Sequence, residues 1–182
     1  MHRFLCRMLL LAGLVAWFGA SGELFAQSKM KRGGPVVDLD GMKSQVFEVW
    51  KQQKAQSPEL YKFLLPKDLK SDQDAAEMII AETSLKAEDV IAGWKNNWAP
   101  RKPIKDIETV TRTEKFKVGN AEVTKVTTQG DYTKDGKKME DFRFQGYIFE
   151  TKNKKYTIQF TGPFKTVGLH FVNFDPWIKD FK

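Results

Sequence analysis

Cysteine is almost missing from this sequence. Its 182 residues hold one, Cys6, and only two histidines, His2 and His170. Such a chain supports no disulfide framework, no zinc site of Cys or several His, and no cysteine nucleophile in its main body. Motifs of serine catalysis and of phosphate binding are missing too. There is no Gly-x-Ser-x-Gly elbow and no glycine-rich phosphate loop of the Walker or dinucleotide kind, so no cofactor is expected. One apolar run stands out, Met8 to Phe18, and at 11 residues it falls short of the roughly 20 needed to span a bilayer. What the chain does have is 41% hydrophobic and 13% aromatic residues, which argues against disorder, and a net charge of +7.

The N-terminus reads as an export signal. Arg3 and Arg7 precede the apolar run, and small residues lead to Leu24-Phe25-Ala26-Gln27. Residues 1–26 are therefore expected to be a signal peptide, with cleavage after Ala20 or Ser21, or an uncleaved anchor, as alternatives. Cys6 precedes the apolar run and does not fit a lipid anchor. The protein is expected to be exported, to a periplasm or beyond. Residues 27–41 carry Lys29, Lys31, Arg32, Gly33, Gly34 and Pro35 and read as a flexible basic leader. Residues 42–182 then form one domain, of a length that buries most of its unfolded surface.

Within that domain Val46, Val49 and Trp50 fit a weak helical stripe, while Phe47-Glu48-Val49 suits a strand. Tyr61, Phe63 and Leu65 alternate at the strand period, and Ala75 to Thr83 is a second apolar strand. Ser84 is a candidate N-cap for a helix whose apolar face is Ala87, Val90, Ile91, Trp94 and Trp98, with Pro100 and Pro103 ending it. From Ile107 to Gly162 strands alternate with tight turns at Gly119-Asn120, Asp135-Gly136 and Lys152 to Lys154, an antiparallel meander. Val167, Phe171, Phe174, Ile178 and Phe181 then mark a C-terminal helix, which Pro176 should kink or restart with Asp175 as cap.

Tyr61 to Pro66, Ile91 to Trp98, Gly130-Asp131-Tyr132, and Phe160-Thr161-Gly162-Pro163 with Val167 and Phe174 follow a recognisable order. In that order residues 45–182 resemble small exported bacterial proteins of the PsbP-like family. The resemblance implies an α+β fold, an antiparallel sheet with helices on both faces, and a strand at Val46 to Trp50. It also implies a binding or accessory role, as in the relatives that serve photosystem II or bind the Ran GTPase. Pro176 departs from the uninterrupted last helix of that pattern.

Candidate chemistry is sparse. His170 reads as a partly exposed helix residue, with no serine partner. Asp131, Thr133, Asp135 and Gly136 match the start of a calcium loop, but its twelfth position is Phe142 where a bidentate Glu is needed, so a hairpin tip fits better and no metal is expected. Asp72, Asp74 and Glu77 could supply a carboxylate pair, the basis of an alternative reading as a periplasmic hydrolase. Trp94 and Trp98 read as core anchors. Basic clusters remain: Lys134, Lys137 and Lys138 at one turn, Lys152, Lys154 and Lys155 at another, and Arg101, Lys102 and Lys105 after the helix. A meander sets the two turns at opposite ends of their shared strand. These six lysines are the candidate contacts of an exported, non-catalytic binding domain that docks an envelope protein or an anionic ligand or surface. Nucleic acid is not an expected partner of an exported chain.

Overall fold

The computed structural model describes residues 30–67 and 74–182. The signal segment, the first residues of the leader and Asp72 lie outside the described residues. Among the described residues, all strand pairs are antiparallel, and there are two α-helices. None of the helices is long and apolar enough to cross a membrane.

The first correction falls on the leader. Arg32–Leu39 is a strand, β1, paired with β2 (Met42–Phe47) through Asp40 and Gly41. Both turn residues have positive φ, 57° and 86°, the conformation that an Asp-Gly hairpin turn requires. Val37 and Leu39 alternate with polar residues and are fully buried, so this stretch carries a core face that its charges and glycines disguise. Arg32 lies 4.1 Å from the Phe47 ring and donates to Asp180 at 2.6 Å. The strand expected at Val46 to Trp50 ends earlier, at Phe47, and Trp50 then turns into the core.

The larger sheet contains β3 (Lys51–Gln53), β4 (Glu59–Leu65), β5 (Ala76–Glu82), β6 (Trp98–Ala99), β7 (Arg112–Val118), β8 (Ala121–Lys134), β9 (Lys137–Glu150) and β10 (Lys155–Pro163). Its order is β3-β4-β5-β10-β9-β8, with β6 and β7 pairing different stretches of β8. The meander β7 to β10 follows the turns read from the sequence, with Val118 opposite Ala121 and Lys134 opposite Lys137.

Helix α1 spans Ala87–Lys95 and α2 spans Phe164–Lys179. Ser84 does not cap α1: Lys86 occupies that position, without a side-chain hydrogen bond. Trp98 is not on the helix either. The helix closes at Asn96, and Trp98 becomes a β6 residue opposite Tyr132. Pro176 sits inside α2, which neither stops nor restarts there; near a helix end, few turns remain to be disturbed.

Two apolar clusters organise the packing. One gathers Trp50, Phe63, Met78, Tyr147, Phe149, Phe160, Phe174 and Trp177, among others. The other gathers Val90, Trp94, Trp98, Val126, Phe144 and Ile148. Tyr147 and Phe149 of β9 enter the first, Phe144 and Ile148 the second, as the two-residue period of a strand dictates. Helix α2 contributes to the first cluster and α1 to the second.

Candidate anion-binding site

Arg143, Gln145 and Tyr147 share one side of β9, the side of the α2 cluster. Opposite them α2 presents Phe164, Gly168, Phe171 and Asp175, positions three or four apart that fall on one helix stripe. The Arg143 guanidinium lies 4.1 Å from the Phe164 ring and 4.9 Å from that of Phe171. Between the rings, Gly168 leaves room: a Cβ there would stand 3.8 Å from an Arg143 Nη atom.

Asp175 is the nearest acid along the stripe, and it is already engaged. Its Oδ1 accepts from Tyr147 Oη at 2.6 Å and Gln145 Nε2 at 3.1 Å, and its Oδ2 from Lys125 Nζ at 2.7 Å. Gln145 Nε2 also reaches Tyr147 Oη, while Gln145 Oε1 has no partner among the described residues. Burial, and then the hydrogen bond to Asp175, push the Tyr147 phenol far above its ordinary range. Arg143 has no carboxylate partner among the described residues, and burial alone pulls its pKa down.

Arg143 opens onto a depression of about 310 Å³ lined by Arg112, Thr127, Gln129 and Phe171, with Thr109, Val110 and Thr128. Strand register builds it: Arg112 opposes Thr127, Thr127 opposes Gln145, and Gln129 opposes Arg143. Among the described residues, no acidic side chain lines the depression. Two guanidinium groups, an amide and hydroxyls thus surround a space that lacks a negative charge, an arrangement suited to an oxyanion.

The lysines read from the sequence stand apart from this site. Lys134 pairs with Glu77 at 3.7 Å, Lys138 with Asp131 at 2.8 Å, Lys154 with Glu82 at 2.8 Å and Lys155 with Glu150 at 3.4 Å. The Asp131 hydrogen bond holds Lys138 above its ordinary pKa, and Glu82 does the same for Lys154. Lys137 and Lys152 are exposed, with no ion pair among the described residues. The two groups flank opposite ends of the 14-residue β9 and form no single patch. Arg101 pairs with Asp141 at 2.8 Å.

Other candidates resolve plainly. Asp131 is held by Lys138, and Asp135 and Gly136 make the hairpin tip with φ of 52° and 74°. Asp74 and Glu77 line a groove of about 490 Å³, but Lys62 takes one Glu77 oxygen at 3.0 Å and Lys134 approaches the other. Trp94 and Trp98 are buried against Phe144, with Trp98 stacked 4.8 Å from Tyr132. His170 is a correction: it is 1% exposed, where partial exposure was expected. Trp50 Nε1 donates to its Nδ1 at 3.1 Å, so its Nε2, 2.8 Å from Pro66 O, carries the proton and donates. Burial lowers its pKa.

Arg112, Arg143 and Gln129 were missed in the sequence. One signal was available: Arg143 has the parity of Tyr147 and Phe149, so a charge stood on the inward side of a core strand.

No protein-family model matches the chain, and no curated protein matches it. Its fold is similar to those of several solved structures. A Pseudomonas aeruginosa protein of unknown function is 11% identical, with 81% of this chain and 95% of that one covered and a TM-score of 0.44. LpqN, involved in cell envelope biogenesis of Mycobacterium tuberculosis, is 9% identical over 80% and 87%, with a TM-score of 0.45. PsbP from the cyanobacterium Synechocystis sp. PCC 6803 is 15% identical over 91% and 98%, with a TM-score of 0.43. This last protein is of the kind that residues 45–182 resemble.

Proposed function

We propose that this is an exported, non-catalytic accessory domain, a sheet with a helix on each face, which holds an anionic group of an envelope protein or ligand in the depression at Arg112 and Arg143. One observation carries the reading: Arg143 is half-buried with no carboxylate beside it among the described residues. Removing a guanidinium from water is costly, and two aromatic faces restore only about 0.5–2 kcal/mol each. A bound oxyanion supplies the missing charge. Export, to a periplasm or beyond, is supported by Arg3, Arg7 and the apolar run after them. Lys134, Lys137, Lys138, Lys152, Lys154 and Lys155 would be outer contacts for a docked body, with Lys137 and Lys152 the pair not already neutralised.

The test is an NMR titration of the mature protein with phosphate, sulfate and acetate at constant ionic strength, following the Arg143 Nε–Hε and Gln129 side-chain signals. Saturable shifts at both, abolished in Arg143→Leu, are expected. Signals that stay put with all three anions would sink the proposal.

A further inference from the structure

The depression over Arg143 does not end at Gln129. Val110 and Gln129 also line a second hollow of about 230 Å³, completed by Arg101, Ile104, Gly130, Asp141 and Phe164. Its character differs from that of the first. Ile104 is 37% exposed, and with Val110 and Phe164 it offers apolar surface, while the one acid, Asp141, is tied to Arg101 at 2.8 Å. The two hollows thus form a polar, cationic chamber joined to a more apolar one.

From this juxtaposition we infer that the ligand is an organic phosphate monoester, its phosphate between Arg112 and Arg143 and its organic group over Ile104, Val110 and Phe164. This rests on the reading that the Arg112–Arg143 depression takes an anion. Charge and shape select the class. One guanidinium fork satisfies a carboxylate, whereas a dianion with three terminal oxygens can use two forks plus the Thr127 hydroxyl and the Gln129 amide. Inorganic phosphate would leave the apolar hollow unused. A nucleic-acid strand would want aromatic faces for its bases, and the aromatic ring here, Phe164, already carries the Arg143 guanidinium on one face.

Calorimetry on the mature protein at fixed ionic strength tests this with four probes: inorganic phosphate, phenyl phosphate, benzoate, and phosphatidylcholine vesicles containing phosphatidic acid. Phenyl phosphate is expected to bind about tenfold tighter than inorganic phosphate, the factor that burying about 55 Å² of apolar surface returns. Arg112→Gln, at an exposed position, should weaken both by about tenfold or more, as loss of a charge-assisted hydrogen bond does. Ile104→Ser should erase only the phenyl gain, and unchanged melting curves will show that both variants fold. Vesicles that bind and compete with phenyl phosphate would identify a lipid headgroup as the source, and inert vesicles a soluble monoester; either supports the inference. Benzoate binding as tightly as phenyl phosphate, or a phenyl gain that survives Ile104→Ser, would overturn it while leaving the anion site standing. Binding of none of the probes would remove the anion site itself.

Discussion

Arg143, packed against α2, and His170, a residue of α2, are both ionisable, and burial acts on them in opposite ways. Arg143 keeps its charge, because a guanidinium cannot shed its proton near neutral pH. A half-buried charge without a carboxylate is a poor stabiliser, so an apolar side chain should replace it at little cost. Arg143→Leu is expected to unfold in urea within about 1 kcal/mol of the parent, while its anion binding disappears. A large loss of stability would instead make the residue a structural clamp. His170 is neutral, its Nδ1 needed as acceptor for Trp50. Its folded pKa lies below the unfolded value of about 6.5, so the unfolded chain takes up more protons as pH falls. Its contribution to stability is therefore complete above about pH 7 and shrinks below about pH 6.5. The gap in melting temperature between the parent and His170→Gln should narrow as pH drops from 7 to 5; a constant gap would contradict this assignment.

At the scale of elements, the β1–β2 hairpin matters most. Leu39→Ala should cost about 2–5 kcal/mol in urea unfolding, the price of a buried leucine, whereas a tail residue would cost nothing. Lys31→Gln, which touches only an exposed ion pair with Glu48, should leave the midpoint where it is. The hairpin also shows where sequence reading succeeds. Asp135-Gly136 was legible because flanking strands alternate cleanly; Asp40-Gly41 is the same signal, hidden by the basic residues and glycines before it. Trp98 failed for a related reason: helical spacing cannot say where the chain turns to pair with β8. Arg143 was hidden more deeply. Its site combines β7, β8, β9 and α2, so only the register that sets Gln129 beside Arg143 reveals it.

For the molecule as a whole, the net charge of +7 says less than its distribution. Four of the six lysines at the two turns are neutralised by neighbouring acids, and the turns lie at far ends of β9. Electrostatic docking on a polyanionic surface should then depend on Lys137 and Lys152. Reversing both to Glu is expected to weaken retention on an anionic polymer, most visibly at low salt, and to leave phosphate titration at Arg143 unchanged. Equal retention of parent and variant would discard the lysines as contacts. The fold class was legible at this scale because the meander is local, each strand meeting the next. The neighbour relation between β5 and β10 was not, since it joins strands more than 70 residues apart.

The bond from the Trp50 indole to His170 has an optical side. Trp50 lies in a dry cage of Phe47, Phe160, Phe174 and Trp177, where an indole emits towards the blue. Its hydrogen-bond partner there is the His170 imidazole, a weak quencher when neutral and a strong one when protonated. Trp50 is thus a built-in dye whose own brightness follows the proton on a single buried ring.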